Sequence, residues 1–183
     1  MSLHVDFDRD LWVYVPAEWP WEGFATLEQW TAALVGALGD AHGYDRPMRE
    51  WLADTLAGMS RGADAHEHRF GYLSRPHEAL GLASIYELPA RPDVTSEDLL
   101  GVGDPRAARP VEAQAFDGGR LGPGHTATRH VTDDDGALTA VTHWVWRRPD
   151  RDVLMIAGDA DPARFAALRG DYDALARAIG TVD

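Results

Sequence analysis

The pattern in this chain most suggestive of chemistry is His66-Glu67-His68. On a β-strand the two histidines share a face, and paired imidazoles are ligands for Zn²⁺ or Ni²⁺. A site needs a further donor, and His77, His130 and His143 are those a sheet could bring close. No spacing ties them to the pair. His66 and His68 therefore stand as metal candidates beside a plain reading as surface polar residues, and no cofactor is expected. His143 sits between Val141 and Val145 on one strand face. It reads as a hydrogen-bonded core histidine or as a general base in a cavity, although no acid or nucleophile partner is recognisable. Asp133-Asp134-Asp135 offers oxygen ligands to a hard cation, but Gly136-Ala137-Leu138 breaks the alternation of a calcium loop and leaves a hairpin turn. Gly118-Gly119 and Gly122-Pro123-Gly124 are followed by no Gly-Lys-Ser/Thr, so they are turns and not a phosphate cradle.

Aromatic residues supply a second kind of candidate. Trp19, Trp21 and Phe24 crowd one loop, where they either cover a pocket, meet a partner, or fold over the sheet edge as core. Together with His143 they form the expected ligand or partner surface. Trp144 and Trp146 share a strand face and read as core.

These residues need a scaffold. Leu138 to Arg147 alternates with large apolar groups on both sides, and Val153 to Ala157 is an unbroken apolar run. Both patterns suit strands covered on two faces, and Arg148-Pro149-Asp150-Arg151 joins them as an antiparallel hairpin. Asp161 caps a helix with Pro162 at its first position, and Phe165, Leu168, Tyr172, Leu175 and Ile179 form one stripe that runs to Gly180. Earlier in the chain, Leu11 to Val15 is a strand. Helices start at Thr26, with Gln29 completing a capping box, and near Asp45. His68–Leu73 and Leu80–Leu88 form a hairpin, Thr95 or Ser96 caps a short helix, and strands follow at Val111–Phe116 and His125–Val131. The order β-α-α-β-β-(short α)-β-β-β-β-α predicts an α+β domain spanning residues 1–183. Its sheet is mostly antiparallel, with six to seven strands and helices on both faces.

Composition narrows the function. The 183 residues carry a net charge of −13, spread evenly, and all 17 basic residues other than histidine are arginine, with no lysine or asparagine. That skew is typical of a GC-rich bacterial coding sequence. An acidic chain with no basic cluster is not a nucleic-acid binder. No run approaches a membrane span, no secretion leader is visible, and cysteine is absent, which removes thiolate and disulfide chemistry. A cytoplasmic protein is expected.

Trp144-Val145-Trp146-Arg147-Arg148-Pro149, then Val153-Leu154-Met155-Ile156-Ala157, then Asp161-Pro162 and a helix ending Asp173-Ala174-Leu175-Ala176-Arg177-Ala178-Ile179 resemble the C-terminal end of Mog1/PsbP-like proteins. The resemblance implies an α/β/α sandwich and a non-catalytic binding or adaptor role through protein contacts. It brings no catalytic residues, and a homo-oligomer is compatible with it. The element order also resembles the START/Bet v1-like helix-grip fold. That likeness implies instead a cavity between the sheet and the C-terminal helix, for a small apolar ligand or for catalysis.

Overall fold

The structure, a computed structural model, describes residues 2–64, 66–132 and 135–182. Among the described residues the strands are β1 (Ser2–Val5), β2 (Trp12–Val15), β3 (Glu67–Tyr72), β4 (Gly81–Pro89), β5 (Gln114–Asp117), β6 (Pro123–Thr132), β7 (Leu138–Arg147), β8 (Arg151–Asp159) and β9 (Ile179–Val182). The helices are α1 (Leu27–His42), α2 (Arg46–Arg61), α3 (Ser96–Leu100), α4 (Pro162–Ala167) and α5 (Arg169–Ala178), with a 3-10 turn at Gly119–Leu121. Seven strands form one antiparallel sheet in the order β2-β3-β4-β8-β7-β6-β5, while β1 pairs with β9 in a separate ribbon.

Local chemistry sets the helix boundaries. Thr26 Oγ1 accepts from the Gln29 amide at 3.4 Å, and the Gln29 side chain accepts from Ala25 N at 2.9 Å, one residue earlier than in a standard capping box. Asp45 and Asp161 cap α2 and α4 through first-turn amides. Thr95 and Asp98 cap each other reciprocally at the start of α3.

Helices cover both faces of the sheet, as the two-sided apolar strands require. Val153, Met155 and Ala157 of β8 point to one face with Trp144, Trp146 and Ile85, under Phe165, Tyr172 and Leu175 of α4 and α5. Leu154 and Ile156 point to the other, with Val145 and Ala127, under Leu99 and Leu100 at α3. On that same face α1 and α2 pack Trp30, Leu52 and Leu56 against Val15 and Leu73 at the β2–β3 end.

Two expectations change, and one strand pair was not expected. The C-terminal helix is two helices, bent at Leu168 just before Gly170, a poor helix former. Its apolar stripe survives the bend, but Ile179 passes into β9 and does not extend the helix. The N-terminal residues from Ser2 form β1, which pairs with β9 from Ser2↔Val182 to Val5↔Ile179. Four residues lack the length for a legible pattern. In the Asp133–Gly136 turn, residues 133 and 134 lie outside the described residues; Gly136 takes φ 82°.

Candidate functional site

The aromatic loop is built on a two-residue turn. Trp21 N donates to Phe24 O at 2.9 Å and Phe24 N to Trp21 O at 2.8 Å. The central residues both take positive φ, Glu22 at 39° and Gly23 at 89°, as a type I′ turn demands. Glycine adopts that conformation freely. Glutamate does not, and Glu22 stores strain that the flanking contacts must offset. The turn puts Trp21 and Phe24 side by side with near-parallel rings, 6.5 Å between centroids. Trp21 also stacks on Tyr14 of β2 at 5.4 Å, and Tyr14 meets Phe70 of β3 edge-on at 5.4 Å. Trp19 leans on Trp30 of α1.

These rings do not form a protruding patch. Trp19, Trp21 and Phe24 are half-buried, and the latter two wall a recess of about 600 Å³ around the open edge of β2. Leu3, Val5 and Phe7 close one side, Leu34 and Leu38 of α1 another, and Tyr14, His68 and Phe70 line the wall between. Burial raises the Tyr14 hydroxyl pKa and lowers that of the His68 imidazole, so both are held neutral in the wall. The charged groups at this recess are Arg9, Asp10 and Glu22.

No family model and no curated protein matches the chain. Among solved structures, it is similar to the crystal structure of LpqN, involved in cell envelope biogenesis of Mycobacterium tuberculosis. The identity is 9%, with 98% of this chain and 82% of that chain covered and a TM-score of 0.40.

His66 and His68 are not brought together as a ligand pair. His66 precedes β3 and is exposed, its amide donating to Asp64 Oδ1, so the shared strand face with His68 does not arise. His68 lies in the recess wall instead. His77 accepts or donates at 2.5 Å with the Tyr44 hydroxyl, between the α1–α2 and β3–β4 loops. Among the described residues, no group of three or more His, Asp or Glu side chains is arranged to hold a metal ion.

His143, expected at a ligand or partner surface, is buried under α3 and outside the recess. Its Nδ1 lies 2.6 Å from Leu99 O, a pure acceptor, and its Nε2 lies 3.0 Å from Arg129 Nη2, a pure donor. The proton therefore sits on Nδ1, both nitrogens are satisfied, and the ring is neutral. Burial depresses its pKa further than the Leu99 carbonyl restores it. Arg129 is in turn paired with Asp104. A satisfied imidazole of this kind holds α3 to the sheet and has no proton to exchange with a ligand.

Sequence reasoning missed two groups. The Tyr44–His77–Glu78 contact resembles a nucleophile, base and acid in order, with His77 Nε2 3.5 Å from Glu78. Burial raises the Tyr44 pKa, however, opposing a phenolate, and the array staples two loops. The second group is Glu67, whose side chain is 2% exposed and accepts from Arg69 Nε at 2.6 Å and Nη2 at 2.7 Å, as well as from Ser84 and Asp64 N. Arg69 also donates to Met59 O and Gly62 O at the end of α2. The alternation of Glu67 and Arg69 on one strand face was readable; their burial was not.

Proposed function

We propose that the chain is a binding domain without chemistry of its own, which takes the apolar part of a small molecule into the recess around β2. One observation carries this reading: about 600 Å³ of recess walled by Phe7, Tyr14, Trp21, Phe24, Leu34 and Phe70, drawn from several separate stretches of chain. Small-molecule pockets fall at roughly 300–1,000 Å³ and are mostly apolar. The strained Glu22 turn, which aims Trp21 and Phe24 inward, supports it. So does the scatter of the large apolar side chains that are exposed elsewhere, Trp51, Leu138 and Val182, which sit on different elements. The helix-grip resemblance implied a cavity under the C-terminal helix; Trp144, Phe165, Tyr172 and Leu175 pack together there, and the ligand reading moves to the recess at the edge of β2.

The adaptor reading, with a protein partner, has its own observation. Leu11 O accepts from Leu73 N, so alternate residues of β2 face β3 and Tyr14 turns its backbone N–H and C=O to the open edge. A partner strand added there would bind by edge pairing.

Titration with Nile red, an uncharged apolar fluorophore, separates the two. The small-molecule reading expects saturable one-to-one binding, displaced by medium-chain alcohols and weakened by Phe24→Ala. Leu38→Trp fills the recess and abolishes binding while the urea midpoint stays within the range of a surface change. Absence of saturable binding, or binding that survives Leu38→Trp, sinks it.

A further inference from the structure

A second hollow lies at the other edge of the sheet, and its origin is a bulge. Outside β6 the chain pairs through Ala107↔Val131 and resumes at Gln114↔Thr126. Six residues, 108 to 113, join these points on the outer chain, against four, 127 to 130, on β6. The surplus loops outward, and Pro110 within it has no N–H to leave unpaired. Beneath it is a polar hollow of about 310 Å³ lined by Arg109, Glu112, Gln114, Thr126, Thr128 and Arg169 among others.

The donors converge there. Ala108 N donates to His130 O at 2.7 Å, so the backbone of His130 faces this edge, and by the strand alternation that of Thr128 does too. Among the described residues, the bulge puts no paired residue opposite Thr128 on this edge. Arg169 reaches in from α5 and is held on four sides. Its Nε donates to Asp173 at 2.9 Å, Nη1 to Thr128 Oγ1 at 3.0 Å and Nη2 to Thr126 Oγ1 at 3.2 Å, and its guanidinium lies 5.0 Å from the Trp144 ring centroid. Trp144 Nε1 in turn holds Asp173 at 2.8 Å. A surface arginine is ordinarily mobile, whereas this one is locked with one N–H on each terminal nitrogen still unused. Thr126 is 5% exposed and, because it accepts from Arg169, keeps its own hydroxyl proton to donate. Arg109, at the rim, has no ion pair among the described residues.

From this arrangement we infer that the bulge binds a small oxyanion, a carboxylate or phosphate group, between Arg109 and the pre-set Arg169. The Asp173 carboxylate is already engaged. Glu112 is exposed at the rim and opposes the anion. In a molecule of net charge −13, long-range steering does not favour an anion, so local donors must supply the affinity. The site is separate from the apolar recess and does not depend on it.

Amide chemical-shift titrations with inorganic phosphate and, separately, acetate test the site. Saturable shifts are expected at Thr126, Ala127 and Thr128, and the tighter of the two anions tells phosphate from carboxylate recognition. Arg109→Gln, at an exposed position outside the core, weakens binding about tenfold through loss of one charge-assisted contact. Glu112→Gln tightens it about threefold by removing the opposing charge. Arg169→Gln also weakens binding, but it loosens Asp173 and Trp144, so the result rests on the two rim variants. Shifts that fail to saturate, shifts centred elsewhere, or an Arg109→Gln protein that binds as the parent does would overturn the proposal.

Discussion

Glu67 shows how a residue read as part of a surface motif can be a structural charge. Burial alone would raise its carboxyl pKa, but donation from Arg69, Ser84 and the Asp64 amide outweighs that and holds it below the ordinary range. Removing the carboxylate leaves Arg69, 11% exposed, with an unbalanced charge beneath the end of α2. Glu67→Ala is therefore expected to cost about 3 kcal/mol in urea unfolding, within the range for breaking a buried pair. A loss under about 1 kcal/mol would mean that Met59 O and Gly62 O suffice for the guanidinium. His143 makes the complementary point: flanking valines indicated burial, while its two partners come from positions 99 and 129, which no local spacing reveals.

At the scale of elements, the 3-10 turn between β5 and β6 is shaped by one indole. A Cβ at Gly118 would overlap Trp146 Nε1 and the Gly122 carbonyl. One at Gly124 would lie 2.7 Å from Val145 O and 2.8 Å from Trp146 Cδ1. Of the glycines read in the sequence as turn formers, Gly119 and Gly122 do take positive φ, 59° and 79°, whereas Gly118 and Gly124 are clearance for a fully buried tryptophan. Gly118→Ala is expected to destabilise by about 2 kcal/mol through overpacking. In thermal unfolding it should lower the midpoint, with the Trp146 indole resonance displaced. A neutral outcome would show that the turn yields without moving the indole. The strands and caps were legible because alternation and capping residues are local signals. The bend at Leu168 and the β1–β9 ribbon were not. One depends on how α4 and α5 each fit the sheet, the other on a partner 177 residues or so away in sequence.

For the whole molecule, pH brings the charges together. Burial lowers the pKa values of His68, His130 and His143, although Glu87 and the Leu99 carbonyl pull the first and last the other way. The unfolded chain therefore takes up protons first as pH falls below about 6.5, and stability, full above that value, declines as pH drops toward the folded pKa values. The carboxylates follow. Asp104, brought down to about 2 by hydrogen bonds from Arg106 and by the charge of Arg129, and Glu67 and Asp159, also lowered, contribute stability that is lost on acidification below about 4. Urea midpoints across pH should fall in two stages. His143→Gln, which keeps an amide for Leu99 O, should flatten the first. A single carboxylate stage in the parent protein would remove the histidines from the account.

Periodicity and caps made the antiparallel sheet, its size of six to seven strands and its cover on both faces legible, because each strand carries its own alternation and an apolar run with two greasy faces cannot meet water on either. Among the described residues, no helix is long and apolar enough to cross a membrane. Which side chains share a site was settled in three dimensions. The half-buried Trp21 and Phe24 became the wall of a recess only when β2, α1 and the N-terminal ribbon closed around them. Arg109 and Arg169, 60 positions apart, line one hollow where a two-residue surplus bulges outside β6. Contacts of that kind depend on register and on packing between distant segments, and neither leaves a mark on the neighbouring residues.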